Sequence, residues 1–239
     1  MRVFLLLLAL AISADDNEIY VDQSGSNATI SLEQLGSSNL IGGTSSVAGT
    51  VTALDLDGIN MSLEINQIGA SNIFRSDAFD SDYVTALFDF QGDSNAMDIL
   101  MNSGGAYSAD YANLNVAVTG GSNTFDVKIA ENSNADYLDL DWIIDGDSNT
   151  FDFDIDYENA TNYVDIFGDS NDLTFSGSGY AGTTSSDSGY FYLDLTGDSN
   201  TYTITQSSTL ARDWLKITSN ASNSTVCIVQ NDGGTSTSC

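Results

Sequence analysis

Aspartate is the residue type in this sequence whose number and spacing could do chemistry. The chain has 239 residues, 34 of them acidic and five basic, for a formal charge of −29. Asp93, Asp147, Asp169 and Asp198 each follow a glycine in a recurring Gly-Asp-Ser-Asn turn, and Asp98, Asp126 and Asp152 each stand six residues after a turn glycine. Around one such turn Asp145, Asp147, Asn149 and Asp156 fall at positions 1, 3, 5 and 12 of a calcium-loop register, although Thr150 stands where that loop needs glycine. No cofactor is demanded by the sequence. Ca2+ is the one candidate, with Asp145, Asp147, Asp156, Asp169 and Asp198 as cation ligands. Two further readings stand beside it: diffuse counter-ion condensation and a plainly solvated acidic face. If the turns stack, like charges align and repel by about 1 kcal/mol or more per pair at surface dielectric.

The same composition narrows the function classes. Histidine is absent, which removes the commonest general base and metal ligand. A glycosidase needs paired carboxylates facing each other across a cleft, and alternating strand aspartates point to solvent instead of converging. Nucleophile signatures and phosphate loops are missing, and the glycine-rich stretch at 177–182 lacks a strand-to-helix context. The reading is therefore no enzyme. A chain this acidic repels nucleic acid and anionic membranes.

The elements that must position these carboxylates are set by an internal repeat. G-x-S-N turns run Gly36–Asn39, Gly69–Asn72, Gly92–Asn95, Gly120–Asn123, Gly146–Asn149, Gly168–Asn171 and Gly197–Asn200, with a shorter relative at Gly25. The half-step is about eleven residues, as in the intervals 25, 36, 58, 69 and 92, and weaker turn segments near Gly49, Gly104, Asn132 and Gly233 fill missing half-steps. Before the turns, Leu114, Val116 and Val118, then Leu140, Trp142 and Ile144, then Phe191, Leu193 and Leu195 alternate with polar residues. After them, Met97, Ile99 and Met101, Phe125, Val127 and Ile129, and Phe151, Phe153 and Ile155 do the same. Period-two alternation marks strands with one buried face. Identical turns at one register favour stacking over ordinary hairpins. The absence of proline leaves the ladders unbroken.

The expected fold is all-β: a two-strand-per-coil stacked β-solenoid of about nine coils, with the segment 176–189 as an enlarged loop on one edge. The turn asparagines would form an amide ladder, and Gln23, Gln34 and Gln67 an inward glutamine ladder, since buried amides must be hydrogen-bonded.

Gln34 to Asn39 (QLGSSN) and Gln67 to Asn72 (QIGASN) resemble the Q-x-G-x-G-N segment of curlin repeats, with Ser replacing the second Gly. Asn200 and Gln206 are similar to the other half of that pattern, with Tyr202 in place of Ala. The resemblance covers residues 17–75 best. From Tyr83 to Tyr192 the turns and the parity persist, but Phe90, Val118, Ile144 and Ile166 replace the inward glutamine. Curlin proteins are secreted subunits of extracellular amyloid fibres, so the resemblance implies a structural and adhesive role. Self-association through coil stacking is the matching expectation, with other fibre subunits as further partners; the alternative is a non-polymerising acidic β-solenoid on a cell or virion surface that binds cations or surface glycans.

The N-terminus supports export. Arg2, an apolar run from Val3 to Ile12, and small residues at Ser13 and Ala14 read as a signal peptide over residues 1–14, leaving 15–239 as one acidic repeat domain. Removal of Arg2 makes the mature chain one charge more negative. No later apolar run is long enough for a transmembrane helix, so the expectation is a secreted or surface-associated protein without membrane insertion. Cys227 and Cys239 are the two cysteines, and export makes a disulfide between them the leading reading, with free thiols or an intermolecular bond as alternatives.

Overall fold

In the computed structural model, residues 18–42, 54–78, 81–101, 110–129, 135–179, 188–207 and 212–231 are described. The signal segment, the weak turns near Gly49, Gly104, Asn132 and Gly233, and Cys239 lie outside them. Every described element is a strand or turn, with no helix among the described residues.

The chain winds as a β-solenoid. Each coil contributes one strand to an eight-stranded sheet and one or more to a 13-stranded sheet, and every pairing is parallel between successive coils. The unit is visible at 139–158. Asp139–Asp145 lies in the smaller sheet, the arc Gly146–Asn149 reverses the chain, and Thr150–Glu158 runs in the larger sheet. Asn159 then turns it back into Ala160–Phe167 of the next coil.

There are about six full turns, not nine. They run from Ser62–Ile68 to Thr201–Ser207, and a less complete coil abuts each end. Asparagines facing one another in consecutive arcs are separated by 33, 23, 28, 26, 22 and 29 residues. All but the first lie within the roughly 22–29 residues expected of a coil, so the smaller number comes from the ends, where the first and last coils are incomplete and the terminal segments lie outside the described residues. The expected loop at 176–189 is also corrected. Asp172–Gly179 and Ser188–Thr196 are strands that extend into both of its ends, and they pair with Thr201–Ser207 and Ala160–Phe167 respectively.

The alternation decides which side chains enter the core. Leu114, Val116, Val118, Leu140, Trp142, Ile144, Phe151, Phe153, Ile155, Phe191, Leu193 and Leu195 are all buried. Between the sheets Trp142 meets Phe153 edge-on at 4.7 Å, and Phe175 stacks on Phe191 at 4.1 Å. Along the axis Phe125 stacks on Phe151 at 4.9 Å, the separation set by the strand ladder itself. Fully burying such a side chain stabilises by about 1.5–3 kcal/mol, and these rings form one continuous column.

Phe153→Ala should therefore lower stability by about 3–5 kcal/mol, measured by urea denaturation, because the stacked coils cannot collapse around the gap. Asp154→Ala, on the opposite face of the same strand, should change it by roughly 0.5 kcal/mol or less.

Candidate functional site

The G-x-S-N arcs superimpose as a column along one edge of the solenoid. Each arc places its serine in the left-handed region, at φ 59–62° from Ser38 to Ser199. The glycine before it has a separate reason to be glycine: a Cβ on Gly69 would run into the Gly36 carbonyl of the coil behind, and the same collision recurs up the column. Backbone therefore abuts backbone at every step.

The buried asparagines bind one coil to the next. The amide N–H of Asn39 donates to Asn72 Oδ1 at 3.2 Å, Asn72 to Asn95 at 2.9 Å, Asn95 to Asn123 at 2.8 Å and Asn123 to Asn149 at 2.9 Å. Asn149 donates to Asn171 at 2.8 Å and Asn171 to Asn200 at 2.7 Å. The column ends where Asn200 donates to Ser224 Oγ at 3.1 Å. Side-chain Nδ2 groups close the arc in some coils, as Asn95 onto Gly92 O at 2.9 Å, and reach the preceding arc in others, as Asn171 onto Gly146 O at 3.1 Å.

The aspartates beside them are hydrogen-bonded to backbone. Asp93 Oδ1 accepts from Gly121 N at 2.8 Å; Asp147 accepts from Asp169 N, Asp169 from Asp198 N and Asp198 from Ser222 N, each at 2.6 Å. These charge-assisted bonds use one carboxylate oxygen per coil for the stack. Asp145 ends a strand of the smaller sheet while Asp156 lies in the larger one, so the calcium-loop register spans two sheets without wrapping around a point. Among the described residues no group of three or more Asp, Glu, His or Cys gathers in a way that could hold a metal ion.

The glutamines divide. Gln67 Nε2 donates to Gln34 Oε1 at 2.8 Å, but Gln67 Oε1 has no hydrogen-bond partner among the described residues, where Phe90 follows it in the column. Gln23 does not join: it faces Leu56 in the larger sheet, and its amide bonds the Ser24 carbonyl at 3.0 Å. A second pair stands at the other end, Gln230 Nε2 donating to Gln206 Oε1 at 2.8 Å. Cys227 is disulfide-bonded, while Cys239 lies outside the described residues.

Outward aspartates crowd. In register, Asp98, Asp126 and Asp152 form one column, with Arg75 3.9 Å from Asp98 and Lys128 3.3 Å from Asp126. Partial burial pushes the Asp152 carboxyl above its ordinary 3.8, and the charge of Asp126 adds to this. Asp139 is raised by burial and Asp141, and Asp165 by burial, Asp194 and Asp141.

Two aromatic features went unread in the sequence. On the outer face of the smaller sheet Tyr163 stacks on Tyr192 at 4.6 Å, beside a depression of ≈ 170 Å³ that Asp165, Asp194, Lys216 and Thr218 complete. On the edge opposite the G-x-S-N arcs, Tyr83, Tyr111 and Tyr137 occupy the left-handed region at φ 57°, 57° and 60°, where Asn60 and Asn159 stand in neighbouring coils. Such a backbone costs a bulky residue about 1–3 kcal/mol. The sequence signal was the Asp-Tyr dipeptide at 82–83, 110–111 and 136–137.

No family model matches the chain, and no curated protein or solved structure is significantly similar to it. The curlin resemblance rests on its residues alone. No described helix is long and apolar enough to cross a membrane.

Asn149→Ala should cost about 1–3 kcal/mol in urea denaturation, since it leaves the buried Asn123 amide without an acceptor. Raised carboxyls mean that the folded chain holds more protons than the unfolded one just above pH 3.8, so stability falls as pH rises through that window. Acidifying from neutrality into that range, or adding salt, should raise the melting temperature followed by circular dichroism.

Proposed function

We propose that this chain is an exported structural protein, a fibre or surface-layer subunit whose coils continue from one molecule into the next. The observation that carries this reading is a core left open at both ends among the described residues. Val226 and Ile228 extend the columns of buried Tyr202 and Ile204, yet they are 41% and 45% exposed. Leu215 and Ile217, which follow Phe191 and Leu193, are only half-buried. At the other end Ile30 and Leu32 are half-buried beside fully buried Leu63 and Ile65. Exposed strand edges over an apolar cross-section are templates for pairing with another chain. The curlin-like glutamine turns and the signal-like N-terminus fit the same role, and adhesion would follow from the assembled surface.

A second reading is favoured by the last coil. Its arc lacks the glycine, the Gly197 N to Asn220 O bond stretches to 3.3 Å, and Ser224 closes the asparagine column. In that reading the protein is a non-polymerising acidic solenoid on a cell or virion surface that binds cations or glycans, and the aromatic and carboxylate depression beside Tyr163 is the natural glycan contact.

The test is incubation of residues 15–239 at high salt with calcium. Fibrils by electron microscopy with a thioflavin signal are expected. Ile228→Lys should slow elongation by roughly tenfold or more, because it carries an unpaired ammonium into the joint. A chain that stays monomeric in sedimentation overturns the assembly reading. A melting temperature raised by calcium in that monomer assigns the second.

A further inference from the structure

The tyrosine column points to a modification. Tyr83 and Tyr111 stack with ring centroids 4.7 Å apart and planes 4° from parallel, and Tyr111 and Tyr137 at 4.8 Å and 14°. All three are open to solvent, at 51%, 46% and 51% exposure. Their backbone is held by the coil ladder, as where the Tyr83 amide donates to the Asp110 carbonyl at 2.7 Å, so the rings cannot drift apart. The left-handed backbone turns them outward at a position where neighbouring coils keep a short polar asparagine.

We propose that Tyr83, Tyr111 and Tyr137 are a site of oxidative dityrosine cross-linking that staples successive coils. The co-substrate is hydrogen peroxide, delivered through a peroxidase. Each of two neighbouring phenols loses one electron and its hydroxyl proton, giving a pair of phenoxyl radicals. The radicals couple through a Cε of each ring, and the proton on each coupled carbon returns to its own oxygen to restore both phenols. Two hydrogen atoms leave per cross-link, and peroxide takes them up as it is reduced to two waters. Preorganisation supplies the selectivity: stacked rings present ortho carbons to each other at high effective concentration. Tyr163 and Tyr192 on the sheet face share this stacking, but Tyr192 is half-buried, whereas all three rings of the column are exposed. Tyr111, between the other two, takes part in both couplings. The staple is intramolecular and does not depend on coil stacking between molecules.

The experiment is treatment of the dilute mature chain with peroxidase and hydrogen peroxide, followed by peptide mapping by mass spectrometry and by blue dityrosine fluorescence. Cross-linked peptides joining Tyr83 to Tyr111 and Tyr111 to Tyr137 should predominate, each lighter by two hydrogens. Tyr111→Phe, which keeps the ring and the stack, should remove both species and the fluorescence they supply while leaving any Tyr163–Tyr192 link unchanged, and Tyr20→Phe should change none of these. The preference should vanish in urea. Folding of each variant is checked by circular dichroism. Cross-links spread without regard to the column, or an unchanged yield in Tyr111→Phe, overturn the proposal.

Discussion

Coil after coil in this protein hands the glycine and serine amides of its arc to the next. The N–H of Gly69 reaches Gln91 O at 2.8 Å and the N–H of Ser71 reaches Asp93 O at 3.0 Å, and the pattern repeats at Gly92, Gly120, Gly146 and Gly168. Buried backbone groups must be paired, and in a solenoid the only available partner is the adjacent coil. That requirement fixes the rise along the axis. Arc residues, core side chains and surface charges then stack at the same interval whether or not they benefit. Phenylalanine and asparagine columns gain from it, and aspartate columns do not.

The chain manages this cost unevenly. At the arcs, Asp147, Asp169 and Asp198 turn the enforced proximity into hydrogen bonds with backbone N–H groups, so like charges share a column with local compensation. On the sheet faces, where Asp126 stands over Asp152 and Asp165 over Asp194, partial burial and then the neighbouring charge raise the carboxyls of Asp152 and Asp165. Acidity in this molecule thus divides into a part that helps hold the edge together and a part that strains the faces.

Much of the fold could be read from the sequence because parity and turn chemistry are local. Phe151, Phe153 and Ile155 declare an inward face without reference to anything distant, and G-x-S-N declares an arc. Coil number and partnership are not local. Where complete coils begin and end depends on which strands find a partner on both sides, and with an incomplete coil at each end nine became about six. The assignment of Gln23 to the ladder of Gln34 and Gln67 failed because three glutamines of similar context stand on two sheets, a distinction that only the winding makes. The cation register was misleading for the same reason: ligand spacing along the chain means little when an arc sends its two ends to opposite sheets. The tyrosine column escaped notice because aromatic residues at a left-handed turn contradict propensity, although the Asp-Tyr repeat was there to be counted.

The direction of the arc bonds has a consequence for the molecule as an object. At the glycine and serine positions of these arcs the N–H groups point towards the C-terminal coil, from Gly36 and Ser38 to Gly197 and Ser199. Just past each arc the order reverses: Ile73, Ala96, Thr124, Thr150, Asp172 and Thr201 donate to the asparagine carbonyl of the coil behind. The two faces are therefore unlike position by position, with amide protons leading at the C-terminal face at the glycine and serine positions and at the N-terminal face just past the arc. At this edge, two copies meeting by their like faces would oppose acceptor to acceptor or donor to donor. Two copies in the same orientation would carry on a pattern that each already contains.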